Sequence, residues 1–173
     1  MSEGMLYFRL DVKGTKMAET IPLGIFKTDL FDILEETFET HHRVFLDKDT
    51  SLLTTLDQIS AEQASIPVEG RCATIAAQVE HVILYLEVLG GHISGQDIGK
   101  VDWGEIWDRV GGVTDAEWDD LRARLKAIYA QLTTILRSIE DWEQNDAIGA
   151  SIAILVHTAY HLGEIRQALC VVG

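Results

Sequence analysis

The sequence predicts an all-α protein, a four-helix bundle with a short strand-like extension at its N-terminus. Three observations predict it. Apolar residues recur at 3-and-4 spacing through successive segments from Asp29 onward. The 173 residues are 47% apolar, enough for one core at a length where roughly two thirds of the unfolded chain's surface can be buried. Only 2 Pro and 14 Gly occur, which excludes a disordered, collagen-like or low-complexity chain. Residues 1–27 form the extension and 28–173 the bundle.

In the extension, Leu6, Phe8, Leu10 and Val12 alternate with Tyr7, Arg9 and Asp11, the period of a half-buried strand. A turn at Lys13-Gly14-Thr15-Lys16 and a second extended stretch from Met17 to Ile21 would make a hairpin, ended by Pro22 and Gly24. From Asp29 the period is helical, with Phe31, Leu34, Phe38, His42 and Phe45 in one stripe. Asp47 to Thr50 interrupts that helix, and Leu52, Leu53, Leu56 and Ile59 resume it before a loop at Pro67 and Gly70. The second helix is expected from Cys72 to Leu89, with Ile75, Val79, Val82 and Leu86 inward and Gly90-Gly91 as its stop. Residues 92–113 read as a long connection with at most a short helical turn. Thr114 and Glu117 form a capping box, followed by Trp118, Leu121, Leu125, Ile128, Leu132, Ile135 and Ile139 in the third helix. The last helix, Asn145 to Val171, is apolar on most of its circumference and is expected inside. Short joints with one long crossing segment imply an antiparallel bundle with one overhand connection.

Charge restricts the partners. Lys and Arg number 14 against 28 Asp and Glu, a net charge of −14, so the field repels phosphate backbones and anionic membrane surfaces. Neither nucleic acid nor a membrane is an expected partner. No apolar run approaches the roughly 18 residues of a membrane span, and Met1 to Leu10 lacks a signal-peptide pattern. Two cysteines, Cys72 and Cys170, make neither a metal quartet nor a useful disulfide framework; both read as core residues of a cytoplasmic protein.

The chemistry resides in histidines. His157 and His161, at i and i+4, lie about 40° apart on one face of the last helix among aliphatic residues. Burial keeps imidazole neutral, and a neutral imidazole with a free lone pair is the commonest protein ligand for transition metals. The same spacing also arises in hydrogen-bonded core histidines. His81 adds a third corner, sharing its side of the second helix with Thr74, Gln78 and Tyr85. Two ligands from one helix and one from another leave a metal with open positions.

The segment His157-Thr-Ala-Tyr-His161-Leu-Gly-Glu-Ile-Arg-Gln-Ala-Leu169, together with Ala76-Ala77-Gln78-Val79-Glu80-His81-Val82, resembles the DinB/YfiT-like proteins. The resemblance extends from about Thr28 to the C-terminus. It implies an up-down-down-up bundle, a homodimer, and a divalent metal, nickel or zinc, on His81, His157 and His161. It also implies a metal-dependent hydrolase, or a transferase acting with a low-molecular-weight thiol on a small-molecule substrate.

Glu164, on the ligand face, and Tyr85, one turn from His81, are the candidate catalytic residues. Their plainer readings are a surface carboxylate and a packing ring. Gln78 and Trp103 are the candidates for touching a bound cofactor, with Trp103 and Trp107 placed to cap a pocket or simply the bundle's end. His42, in the first helix's core stripe, is an accessory candidate, and His41 lies nearer the edge. The alternative function is a noncatalytic dimeric bundle with buried structural histidines.

Overall fold

The computed structural model describes residues 20–68 and 72–172, and the strand-like reading of Leu6 to Val12 lies outside them. The described elements are helical: α1 (Leu23–Phe38), α2 (Leu52–Leu56), α3 (Ala61–Ala64), α4 (Ile75–Ile93), α5 (Glu105–Arg109), α6 (Asp115–Ser138) and α7 (Ala147–Val172), with a 3-10 turn at Gln144–Asp146. Residue contacts give the helix directions. His81 meets His157 while Gln78 meets His161, so α4 and α7 are antiparallel. Glu80 meets Arg124, and Gly90 lies against Leu132 and Ile135, so α4 and α6 are parallel. Phe38 stacks on Tyr129 while Phe31 lies under Arg137, so α1 opposes α6. The bundle is therefore up-down-down-up. Because α4 and α6 are parallel, their connection must run back along the bundle's length, and this crossover carries α5.

α1 begins directly after Pro22, six residues ahead of the expected Asp29. Proline fixes a helix-compatible φ, and its carbonyl accepts from Ile25. α1 also ends early, at Phe38, and does not run on through Phe45. The cause is Glu36, whose fully buried carboxylate accepts N–H groups from Val44 at 2.8 Å, Leu46 at 3.1 Å and Phe45 at 3.4 Å. The chain folds around this anion. Burial works against its charge, but the three amides outweigh burial and hold its pKa below the ordinary glutamate value. Leu30, Leu34 and Phe38 face the core, joined by the fully buried Leu52 and Leu56 of α2. Ser60 and Gln63 form a capping box at α3, and Trp118 of α6 donates its indole N–H to the Ile59 carbonyl at 2.7 Å.

α4 starts at Thr74, whose hydroxyl accepts from the Ala77 amide and donates to the Gly111 carbonyl, tying the helix start to the crossover's end. Gly90 and Gly91 do not stop it; the helix continues to Ile93, and Gly95 takes the left-handed conformation, φ 75°, beyond it. Gly91 serves close approach, since a Cβ there would collide with the Ile98 side chain. α6 follows its sequence reading closely. The Thr114/Glu117 capping box forms, and Trp118, Leu121, Leu125, Leu132 and Leu136 are buried.

α7 departs from the expectation of a wholly interior helix. Ala150, Ile154, Thr158, His161, Leu162 and Ile165 are buried, but Ile148, Ile152, Val156 and Tyr160 are 41–61% exposed. A corner helix of a bundle has one inward side, here facing α1 and α4. By length and composition Gln144–Val172 is apolar enough to cross a membrane, contrary to the sequence reading, although its inner face is part of the core. The cysteines depart as well. Cys72 and Cys170 are free and exposed, because Cys72 precedes α4 and Cys170 lies on the outward side of α7's last turn.

Candidate metal centre

α4 and α7 cross where His81 faces His157 and His161. One ring nitrogen from each comes within 4.8 Å of the other two. The Nε2 atoms of His81 and His157 lie 3.1 Å apart. Two imidazoles held by one ion at about 2.0–2.1 Å in a tetrahedral shell place their nitrogens roughly 3.3 Å apart. The residues present therefore fit a divalent cation, and the three-histidine group can hold one.

The electrostatics agree. Burial, followed by the neighbouring His161 and His81, pushes the His157 pKa down to about 3. Burial and then His161 lower that of His81, against an opposing pull from Glu164. Burial lowers that of His161, again opposed by the Glu164 carboxylate. Three neutral rings at physiological pH offer lone pairs instead of positive charge.

Different contacts orient each ring. His161 donates from Nδ1 to Glu164 at 2.9 Å, which fixes its tautomer and turns Nε2 to the centre. Gln78 Oε1 is a more distant neighbour of the same nitrogen at 3.5 Å. His157 lies flat on Tyr85, centroids 3.6 Å apart and planes 4° from parallel. His81 packs against Trp107 at 4.6 Å and Trp103 at 6.2 Å. The Nδ1 atoms of His81 and His157 are buried with no hydrogen-bond partner among the described residues. Among the described residues no acceptor stands at either Nδ1, and aromatic packing takes the positioning role there that a carboxylate or carbonyl usually fills.

About 100° around α4 from His81, Glu80 accepts from Arg124 at 2.9 Å and from Arg109 at 3.3 Å, fastening α4 to α6 and to the crossover. Consecutive residues thus serve opposite purposes, Glu80 anchoring the helix and His81 facing the centre.

The structure brings together seven of the sequence-selected residues: His81, His157, His161, Glu164, Tyr85, Gln78 and Trp103. His42 stays apart. Once α1 ends at Phe38, His42 falls in the loop, 3.3 Å from Glu35, while His41 stands 3.5 Å from Glu36. Sequence reasoning missed Tyr160, whose hydroxyl hydrogen-bonds Glu164 one turn on and is held above the usual phenol pKa by that carboxylate. The i, i+4 spacing of Tyr160 and Glu164 was the available signal. An open cavity of about 600 Å³ lies beside His161, bordered by Cys72, Gln78, Trp107, Tyr160 and Glu164.

An up-down-down-up helical bundle with three imidazoles converging between its second and last long helices defines a helical protein with a candidate metal centre. The DinB superfamily profile matches residues 48–165, a span that includes all three histidines and Glu164, and the chain belongs to that superfamily. No curated protein and no solved structure matches it at a significant level.

Proposed function

We infer that the protein is a metal-dependent enzyme in which His81, His157 and His161 hold one divalent ion, nickel or zinc. Its substrate class is a small electrophile attacked by a low-molecular-weight thiol or by water. The observation that carries this reading is the pair of Nε2 atoms facing each other 3.1 Å apart, with a third buried imidazole beside them. An ion bound there supplies Lewis acidity, lowering the pKa of a thiol or water at an open position. The chain's own residues do the rest. Glu164 orients His161 and, through Tyr160, connects it to the cavity. Tyr85 and Trp107 hold the other two rings and restrict water around them. The free, exposed cysteines suit a reducing cytoplasmic setting.

A homodimer is part of this reading, supported by the outward face of α7. Between Ile148 and Gly163 its exposed residues are Ile148, Gly149, Ile152, Val156, Tyr160 and Gly163, none of them charged. Two chains at −14 repel each other least across an uncharged face.

Metal analysis of untagged protein tests the main claim. Wild type is expected to carry close to one equivalent of metal, and His157→Ala to lose it. Metal-free wild type that takes up neither nickel nor zinc on titration would overturn the reading. Thiol-dependent consumption of monochlorobimane separates transfer from hydrolysis.

A further inference from the structure

A second cavity, about 580 Å³, lies on the other side of the histidines from the one beside His161. Tyr85 and Leu89 of α4, Trp103 of the crossover and Gly149, Ala150 and Ala153 of α7 define it. Three features distinguish it from a surface groove. First, its α7 wall is made by the small residues Gly149, Ala150 and Ala153, which leave room between α7 and α4. Second, Tyr85 and Trp103, rings 5.7 Å apart, form the wall toward the metal centre. Tyr85 stacks on His157, and Trp103 sits near His81. Third, its outer end is bordered by the start of α7 through Asp146. There Asn145 and Asp146 both take the left-handed conformation, φ 50° and 52°, and Asn145 donates its side-chain amide to the Ile93 carbonyl at the end of α4. Backbone held in that region twice in succession is sustained by its surroundings.

The volume falls within the roughly 300–1,000 Å³ range of small-molecule sites. Besides Tyr85, the ionisable lining residues are His92 and Asp146, both at the outer end, and there is no Lys or Arg. With the chain's −14 charge, such a chamber disfavours anions and offers two aromatic faces to an uncharged group. We propose that this chamber binds a neutral apolar or aromatic group of a small organic ligand, held against the Tyr85 and Trp103 rings that back the histidines. The inference goes beyond the metal-centre reading, and binding in the chamber does not require the ion.

The test uses the full chain and the neutral fluorophore N-phenyl-1-naphthylamine, with metal content measured on the same sample. Expected is saturable binding of one probe per chain, weakened at least tenfold by Ala153→Phe, which fills the chamber. Trp103→Ala, at a half-exposed position whose loss the core tolerates, is expected to weaken it at least fivefold. Val156→Asp, on the outward face of α7, is expected to leave probe binding unchanged. No saturable binding, equal binding by Ala153→Phe and Trp103→Ala, or abolition by Val156→Asp would overturn the chamber. A wild type that binds the probe but no metal would leave the chamber standing and overturn the metal reading alone.

Discussion

Glu164→Gln tests how the centre is held. The Glu164 carboxylate lies 2.9 Å from His161 Nδ1 and is the acceptor that fixes that ring's tautomer. Removing such a partner generally costs 10–100-fold in metal affinity. Two features of the structure place this case at the lower end. The Glu164 side chain is 39% exposed, so solvent already screens the pair, and Gln78 Oε1, 3.5 Å from the same nitrogen, can take over part of the acceptor role. The expected loss is about tenfold, or about 1.4 kcal/mol, with helical content unchanged. The assay is competition between metal-free protein and a chromophoric chelator for nickel or zinc, with circular dichroism on the same samples. The double variant with Gln78→Leu should lose more than the sum of the single variants, because each removes the other's substitute. Affinity within twofold of wild type in both Glu164→Gln and the double variant would refute the reasoning.

Three further outcomes are expected. Glu36→Ala leaves three amide donors of the loop after α1 without their acceptor and should cost about 2–4 kcal/mol, read by urea unfolding, with metal content preserved. Because the folded-state pKa of Glu36 lies below its unfolded value of 4.5, its stabilisation is complete above that pH and disappears as pH falls through the folded pKa; Glu36→Gln should flatten stability against pH in that window. Val156→Asp, which puts a charge on the uncharged face of α7, should shift sedimentation from dimer to monomer without loss of metal. Gly91→Ala puts a Cβ where the tip of the Ile98 side chain lies; that flexible tip can move aside and alanine favours the helix, so stability should stay within about 1 kcal/mol of wild type while Ile98 is displaced, seen as faster amide exchange around it.

Much of this molecule was legible in its sequence where a local pattern had a local cause. α6 was readable from its capping box and its 3-and-4 repeat, both of which lie within one segment. The three histidines were readable because imidazoles placed along otherwise apolar helices require a reason. The parts that escaped depend on something distant. Nothing in the letters distinguishes Glu36, buried and wrapped by backbone amides, from Glu35 and Glu39 on the same helix end, so the stripe ending at Phe38 read as continuing to His42 and Phe45. Gly90-Gly91 resembles a helix stop because glycine is used both for stopping and for close approach, and the deciding contact, Ile98, belongs to a segment without its own periodicity. α7 read as interior because composition records how apolar a helix is but not how many neighbours it has. The aromatic support of the centre escaped for a similar reason: Trp103 and Trp107 reach His81 only because the parallel α4 and α6 oblige the crossover to run back along the bundle.

That same arrangement equips the protein with a built-in optical gauge. Trp107 sits 4.6 Å from the His81 ring, while Trp118 and Trp142 are buried elsewhere in the core. A paramagnetic ion seated at His81 would quench the indole nearest to it, whereas closed-shell zinc would leave its emission bright. Uptake of a quenching ion could therefore be followed in the untouched polypeptide, without dye or label, from the intensity of its own light.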